Sequence, residues 1–348
     1  MGFFSFNQEI AIDLGTANTI ILYNDKIVVD APSMVALDNR TGKLKAVGHE
    51  AQAMYGRAPE NIRVIRPLQN GVIADFNAAE QMMRGMMKMV SMRNTLFSSS
   101  LLSLLQSFPS VSCKDLSLKT NREVFLNPLQ SKTLLPCKME PSAELEVPAA
   151  IGVGIDVEAP EGNMIVDIGG GTTEIAVISL GGIVTNKSIR VAGDEFNEDI
   201  REYMGRQYNI KLGERTAELI KINVGSALNE LENPPEDYIV HGPNRMTSLP
   251  MELPVTYQDV AHCIEKSISK IEAAVLSALD TTPPELYADI VRNGIYLTGG
   301  GALLRGLDKR LTDKIGIAFH VAEDPLLAVA RGTGIALKNV DKFSFLMR

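Results

Sequence analysis

Two short stretches of this chain repeat one pattern. Ala11-Ile12-Asp13-Leu14-Gly15-Thr16 lies near the start, and Val166-Asp167-Ile168-Gly169-Gly170-Gly171-Thr172-Thr173 near the middle. In each, apolar β-type residues run into an Asp, small residues follow, and a hydroxyl closes the stretch. A strand that ends in Asp and turns tightly through Gly brings backbone N–H groups up to a phosphate. The Asp then stands where it can hold a divalent metal or its water shell. A single Asp-x-Gly-Thr is usually a plain hairpin turn. Two of them, 154 residues apart, point to two similar half-molecules gripping one nucleoside triphosphate from both sides.

The 348 residues amount to roughly two domains, long enough to bury substantial cores. Hydrophobic and charged contents of 45% and 22% are those of a globular protein. The net charge of −8, with no Lys/Arg block against it, argues against nucleic acid as a partner. Cys113, Cys137 and Cys263 have no metal-ligand spacing and suit a reducing compartment. His49, His241, His262 and His320 are scattered, which makes a zinc site improbable. No run approaches the roughly 18 apolar residues of a membrane helix, and no secretory signal is expected. Phe3, Phe4 and Phe6 at the start either pack on the body or dip into a bilayer surface.

Short sheet strands are expected at 10–12, 19–23, 27–29 and 34–37, with turns at Asn24-Asp25 and 39–42. Residues 76–90 read as a helix whose Met82, Met83, Met86, Met87 and Val90 form a core-filling stripe. Strands return at 164–166, 174–178 and 182–184, followed by helices over 195–208, 214–227 and 259–279. Pro234-Pro235 opens a loop excursion. A strand over 294–298 runs into Gly299-Gly300-Gly301, with a helix opening at Ala302-Leu303-Leu304, and a last helix spans 326–338. The order implies two α/β cores, each with a smaller lobe, and a nucleotide in the cleft between them.

Gly299, Gly300, Gly301 and Ala302 form a strand–glycine–helix turn that either lets a ligand lie against bare backbone or simply packs tightly. Placed third after two Asp hairpins, it completes a resemblance. The chain resembles the actin, sugar kinase and heat-shock chaperone ATPase superfamily, and within it the MreB family of bacterial actin-like, rod-shape-determining proteins. The motifs are Asp13-Leu14-Gly15-Thr16-Ala17-Asn18-Thr19, Arg66-Pro67-Leu68 with Gly71-Val72-Ile73-Ala74-Asp75-Phe76, and Asp167 through Glu174. They continue with Gly213-Glu214-Arg215-Thr216-Ala217-Glu218, Leu297 through Leu304, and Pro325 through Gly334. The resemblance covers 8–97 and 149–340.

It implies an α/β, actin-like ATPase fold. The first half would span 1–148, with a small subdomain at about 31–74. The second would span 149–340, with a small subdomain at about 186–245, and a C-terminal helix would pack back at the junction. By the same resemblance, Asp13 and Asp167 would attend Mg²⁺ and its water. Gly15, Thr16, Ala17 and Asn18 would line one side of the ATP phosphates, and Gly169, Gly170, Gly171, Thr172 and Thr173 the other. Glu214, Arg215, Thr216, Ala217 and Lys221 would border the adenosine, and Gly299 to Ala302 would close over it.

Residues 98–148 depart from the family pattern as a block, and their Ser/Leu-rich text reads as an out-of-frame or corrupted segment that would cost the first half its central strand and packing helix. The family's water-aligning glutamate lies seven residues before the Gly matched by Gly152, where this chain has Leu145. On a strand, neighbours face opposite ways, so Glu146 could take the catalytic role only through a local bulge. The resemblance further implies self-assembly into filaments at the cytoplasmic face of the inner membrane, directing cell shape with membrane-bound wall-synthesis proteins. Phe3, Phe4, Phe6, Leu96 and Phe97 would be the insertion points. Alternatives are a nucleotide-binding structural protein with impaired hydrolysis and a chaperone-type ATPase. The chaperone would need a substrate domain, and the chain stops soon after Val340. A small-molecule kinase would need an acidic base beside a polar pocket, and the sequence has no such constellation.

Overall fold

The computed structural model describes residues 10–24, 26–93, 133–134, 146–339 and 341–343. The chain forms two compact units, Met1–Gly152 with Val329–Arg348, and Val153–Ala328.

In the first unit, β1 (Ile10–Leu14), β2 (Asn18–Tyr23) and β3 (Lys26–Pro32) make an antiparallel meander with β1 inside the sheet. β4 (Val35–Asp38), β5 (Leu44–Val47) and β6 (Ile62–Ile65) form a separate three-stranded sheet with β4 central, and α1 (His49–Met54) packs on it. A two-stranded ribbon of β7 (Leu68–Gln69) and β8 (Val72–Ile73) precedes α2 (Phe76–Arg93). Met82, Met86 and Val90 on α2 are fully buried against Ile12, Ile21 and Val35, so the methionine stripe is core. β9 (Thr133–Leu134) adds two parallel pairs to β1, and α3 (Glu146–Gly152) follows. The rest of 98–145 lies outside the described residues, as do Phe3, Phe4, Phe6, Leu96 and Phe97.

In the second unit, β10 (Asn163–Ile168), β11 (Thr173–Ser179) and β12 (Gly182–Ile189) repeat the antiparallel meander. α4 (Gly193–Gln207), α5 (Glu214–Val224), the hairpin β13 (Tyr238–Pro243) with β14 (Pro250–Val255), and α6 (Tyr257–Asp280) come next. α7 (Pro284–Asn293) leads into β15 (Ile295–Thr298), which joins β10 in parallel, and β16 (Phe319–Val321) joins β15 in parallel after α8 (Leu307–Ile315). α9 (Ala328–Lys338) carries the chain back to the first unit.

The two sheets share one plan. Strand order is β3-β2-β1-β9 in the first and β12-β11-β10-β15-β16 in the second, each with one parallel strand beside the Asp-bearing strand. Each hairpin closes on the same register, Leu14 opposite Thr19 and Ile168 opposite Thr173. Each meander has one register shift between its second and third strands, at Ile21/Leu22 and Val177/Ile178. The second-unit core gathers Met164, Val166, Ile168, Leu297, Ile264 and Ile268 among its fully buried residues, one face of the sheet against α6.

The structure corrects three local expectations. The stretch after Pro234-Pro235 is a hairpin rather than a loop, because Val240 and Val255 alternate into the second-unit core despite the flanking prolines. Gly300–Leu303 is a single 3-10 turn, and the helix begins only at Leu307, after Gly306 at φ +71°. Glu146 opens a helix rather than lying on a strand, so the alternation argument applied to Leu145 and Glu146 does not hold there.

Candidate functional site

In the first unit Asp13 sits one residue before the end of β1, and the turn is closed by Gly15 N–H donating to Asn18 O at 3.0 Å. A Cβ on Gly15 would stand 2.6 Å from that oxygen, so only glycine fits. Ser33 holds the turn from the far side. Its hydroxyl donates to Gly15 O at 2.7 Å, and its N–H donates to Ala17 O at 2.8 Å. Its hydroxyl also lies 2.9 Å from that of Thr19. The Thr16 hydroxyl accepts from Gly71 N–H at 3.1 Å, which ties the hairpin to the Asn70-Gly71 turn, where both residues have positive φ. Ser33 carried no motif signal of its own, and Gly71 stood in a motif with no role attached; only the fold brings them to the turn.

The second unit builds the same turn with different partners. Gly169 N–H donates to Thr172 O at 3.0 Å, while Gly169 O and Gly170 O accept from Gly193 and Asp194 N–H at 3.1 and 2.8 Å. In both turns, therefore, the carbonyls are engaged by the segment that follows the third strand. Gly193 also opens α4, so the glycine turn abuts a helix N-terminus, where backbone partial charge is positive. Lys221 Nζ donates to Gly193 O at 2.8 Å, which places an ammonium at the same corner, beside the glycine turn. A Cβ on Gly193 would lie 3.1 Å from that nitrogen.

Asp167 is paired across the sheet with Glu174 on β11 and with Thr298 on β15. Directly paired residues share a face, so two carboxylates and a hydroxyl form one row. Glu174 and Thr298 are buried. The third glycine motif lies over the end of this strand. A Cβ on Gly299, at φ +78°, would meet Asp167 Oδ1 at 2.3 Å, and one on Gly301 would meet Ile168 Cγ2 at 2.2 Å. Close packing against β10 thus accounts for Gly299 and Gly301, and it fixes the flank of Asp167.

On α5, Glu214 and Arg215 stand in the first turn, and Thr216 N–H donates to Gly213 O at 3.1 Å. Arg215 Nη1 is buried and has no hydrogen-bond partner among the described residues. The Ala217 side chain is fully buried in the second-unit core, and that of Ala302 nearly so. Glu146 is 2% exposed at the start of α3. A helix in which Gly332 lies crosses α3 closely, since a Cβ on Gly332 would fall 1.6 Å from Pro148 O.

Among the described residues no cluster of three acidic, His or Cys side chains stands ready to hold a metal. Magnesium that travels with a nucleotide needs only one or two carboxylates, with phosphate and water completing its shell. The Asp167 carboxylate, at the end of β10 beside the glycine turn, fits such an ion.

Two units built on one sheet plan, each with an Asp-terminated strand and a glycine turn, define the actin-like ATPase fold. Solved structures agree. The chain resembles MreB5 of Spiroplasma citri bound to ADP, with a TM-score of 0.79, 33% identity, and 97% and 98% of the two chains covered. It matches the same protein bound to AMPPNP with a TM-score of 0.78. A MamK double helical filament shares the fold at 19% identity and a TM-score of 0.68.

The family model described as MreB/Mbl protein matches residues 7–345, and the chain belongs to that family. It is 42% identical over 344 residues to the cell shape-determining protein Mbl of Bacillus subtilis, covering 97% of this chain and 98% of the relative. It is 40% identical over 352 residues to the cell shape-determining protein MreB of Escherichia coli, covering 97% and 95%. The matched span includes residues 98–148. Among the described residues no helix is long and apolar enough to cross a membrane.

Proposed function

We propose that this protein binds ATP with Mg²⁺, assembles into filaments of its own copies, and works on the cytoplasmic face of the inner membrane to direct cell shape with membrane-bound wall-synthesis proteins. The observation that carries the nucleotide reading is the second glycine turn. Its carbonyls are occupied by Gly193 and Asp194, and a helix N-terminus and the Lys221 ammonium stand at its edge. An approaching polyanion meets N–H groups and positive charge there. The first turn repeats that backbone arrangement around Gly15. Asp13 and Asp167 would hold the hydrated magnesium, which when bound supplies charge neutralisation to the phosphates.

Gly169, Gly170, Gly171, Thr172 and Thr173 would cradle the phosphates with Gly15, Thr16, Ala17 and Asn18. Arg215, with a buried donor awaiting an acceptor, and Glu214 would take the nucleoside side. Self-assembly is supported by the filament-forming fold relative: a head-to-tail contact that does not close generates an open polymer. Phe3, Phe4, Phe6, Leu96 and Phe97 are the apolar residues proposed to enter the bilayer surface.

The deep burial of Glu146 favours a second reading for hydrolysis alone, in which nucleotide is bound but turned over slowly. Sedimentation of the full chain with lipid vesicles and ATP-Mg²⁺, paired with single-turnover phosphate release, tests both. Pelleting with phosphate release supports the polymerising ATPase. Pelleting without it supports the slow-hydrolysis reading, and loss of nucleotide binding overturns both.

A further inference from the structure

The row formed by Asp167, Glu174 and Thr298 contains one group without a task. Thr298 is fully buried, and its Oγ1 has no hydrogen-bond partner among the described residues. The other buried threonines behave differently. Thr19, Thr173, Thr282 and Thr333 reach Ser33, Val191 O, Ala278 O and Val329 O, and Thr16 accepts from Gly71. An unpaired buried hydroxyl destabilises a fold, and a valine would fill the same space without that cost. A hydroxyl in this position calls for a partner that the described residues do not supply, either a water or a group presented in another state of the protein.

Its place in the sheet identifies the partner. Thr298 is the parallel-register neighbour of Asp167, on the same face, and Gly299 immediately after it abuts Asp167 Oδ1. A hydroxyl next to a carboxylate can donate to it after a rotamer change or through one water, and charge-assisted bonds of this kind are the stronger ones. We infer that Thr298 is a positioning residue for Asp167: its O–H holds the Asp167 carboxylate in the orientation that receives the hydrated divalent cation accompanying the nucleotide. The inference rests on the nucleotide reading above and adds to it a residue that touches neither nucleotide nor metal.

The experiment uses the full chain as wild type, Thr298→Val and Thr298→Ser. Two quantities are read: the thermal midpoint without nucleotide, and the Mg²⁺ concentration giving half-maximal binding of a fluorescent AMPPNP analogue. Thr298→Val is expected to keep or raise the midpoint while needing about tenfold more Mg²⁺, the size of one lost hydrogen bond to a charged group. Thr298→Ser, which restores the donor, is expected to match wild type in Mg²⁺ requirement. An unchanged Mg²⁺ requirement in Thr298→Val overturns the inference. So does a lowered midpoint with weakened binding that Thr298→Ser shares, because that outcome describes packing. If wild type itself fails to bind the analogue at any Mg²⁺ concentration, the nucleotide reading falls first and this inference with it.

Discussion

Gly332→Ala should be among the most damaging single-methyl additions in the first unit. Gly332 is a buried position on α9, and the added Cβ would lie 1.6 Å from Pro148 O, 2.5 Å from Pro148 C and 2.9 Å from Gly152 N. All three are backbone atoms of α3, so no side chain can rotate away. A relaxed carbon–oxygen contact requires the two helices to part by about 1.5 Å or more. Over-packing of that kind costs about 3 kcal/mol, while alanine's better helix propensity returns about 1 kcal/mol, leaving a net loss of about 2 kcal/mol.

Gly334 on the same helix provides the control. Its added Cβ would meet only Leu22 Cδ2, at an ordinary 3.8 Å. Gly334→Ala should therefore gain about 0.5–1 kcal/mol from propensity and reduced unfolded-state entropy. Urea unfolding of both variants, followed by circular dichroism, reads the two effects as midpoint shifts of opposite sign. Equal midpoints for Gly332→Ala and Gly334→Ala would falsify the close α3–α9 crossing.

Two further outcomes are expected. Leu180 and Gly181 are the central residues of the two-residue β11–β12 turn, with φ values of +51° and +73°, and Leu180 is 71% exposed. Such a turn prefers Asn at its first central position, so Leu180→Asn should relieve about 1 kcal/mol and raise the melting temperature by about 2–4 °C; a lower melting temperature would show that the Leu180 side chain contributes to stability. Glu265 is held below the usual carboxylate range chiefly by hydrogen bonds from Arg310, at 2.5 and 2.8 Å. A carboxylate whose folded pKa is depressed contributes stability that is present above its unfolded pKa and lost as pH falls through the folded one. Glu265→Gln should thus narrow the stability difference between neutral and acid pH, by no more than about 1 kcal/mol because the group is half exposed. Urea midpoints at several pH values check this, and an unaltered pH slope would refute it.

Much of the framework was legible in the chain because its signals are local. Apolar alternation ending in Asp13 and Asp167, with glycines after each, depends only on strand period and turn chemistry, and both hairpins formed in the same register. The methionine spacing on α2 likewise declared a buried face. The β13–β14 hairpin was obscured because Pro and Gly punctuate it, and its strands are held by Val240 and Val255 entering a core assembled from distant segments.

The sequence by itself determined the duplicated strand–turn unit, the acidic residue at the end of each central strand, and the family. Tertiary structure alone decided what surrounds those residues. Ser33 behind the first turn and Gly193 behind the second, Lys221 at the glycine corner, and Thr298 beside Asp167 come from strands and helices separated along the chain. Their placement arises from strand pairing and close backbone approach, which are non-local and leave no period in the sequence. The same holds for the glycines. Their number announces tight turns, but only the fold shows that Gly299 is bare because Asp167 lies against it, and Gly332 because α3 does.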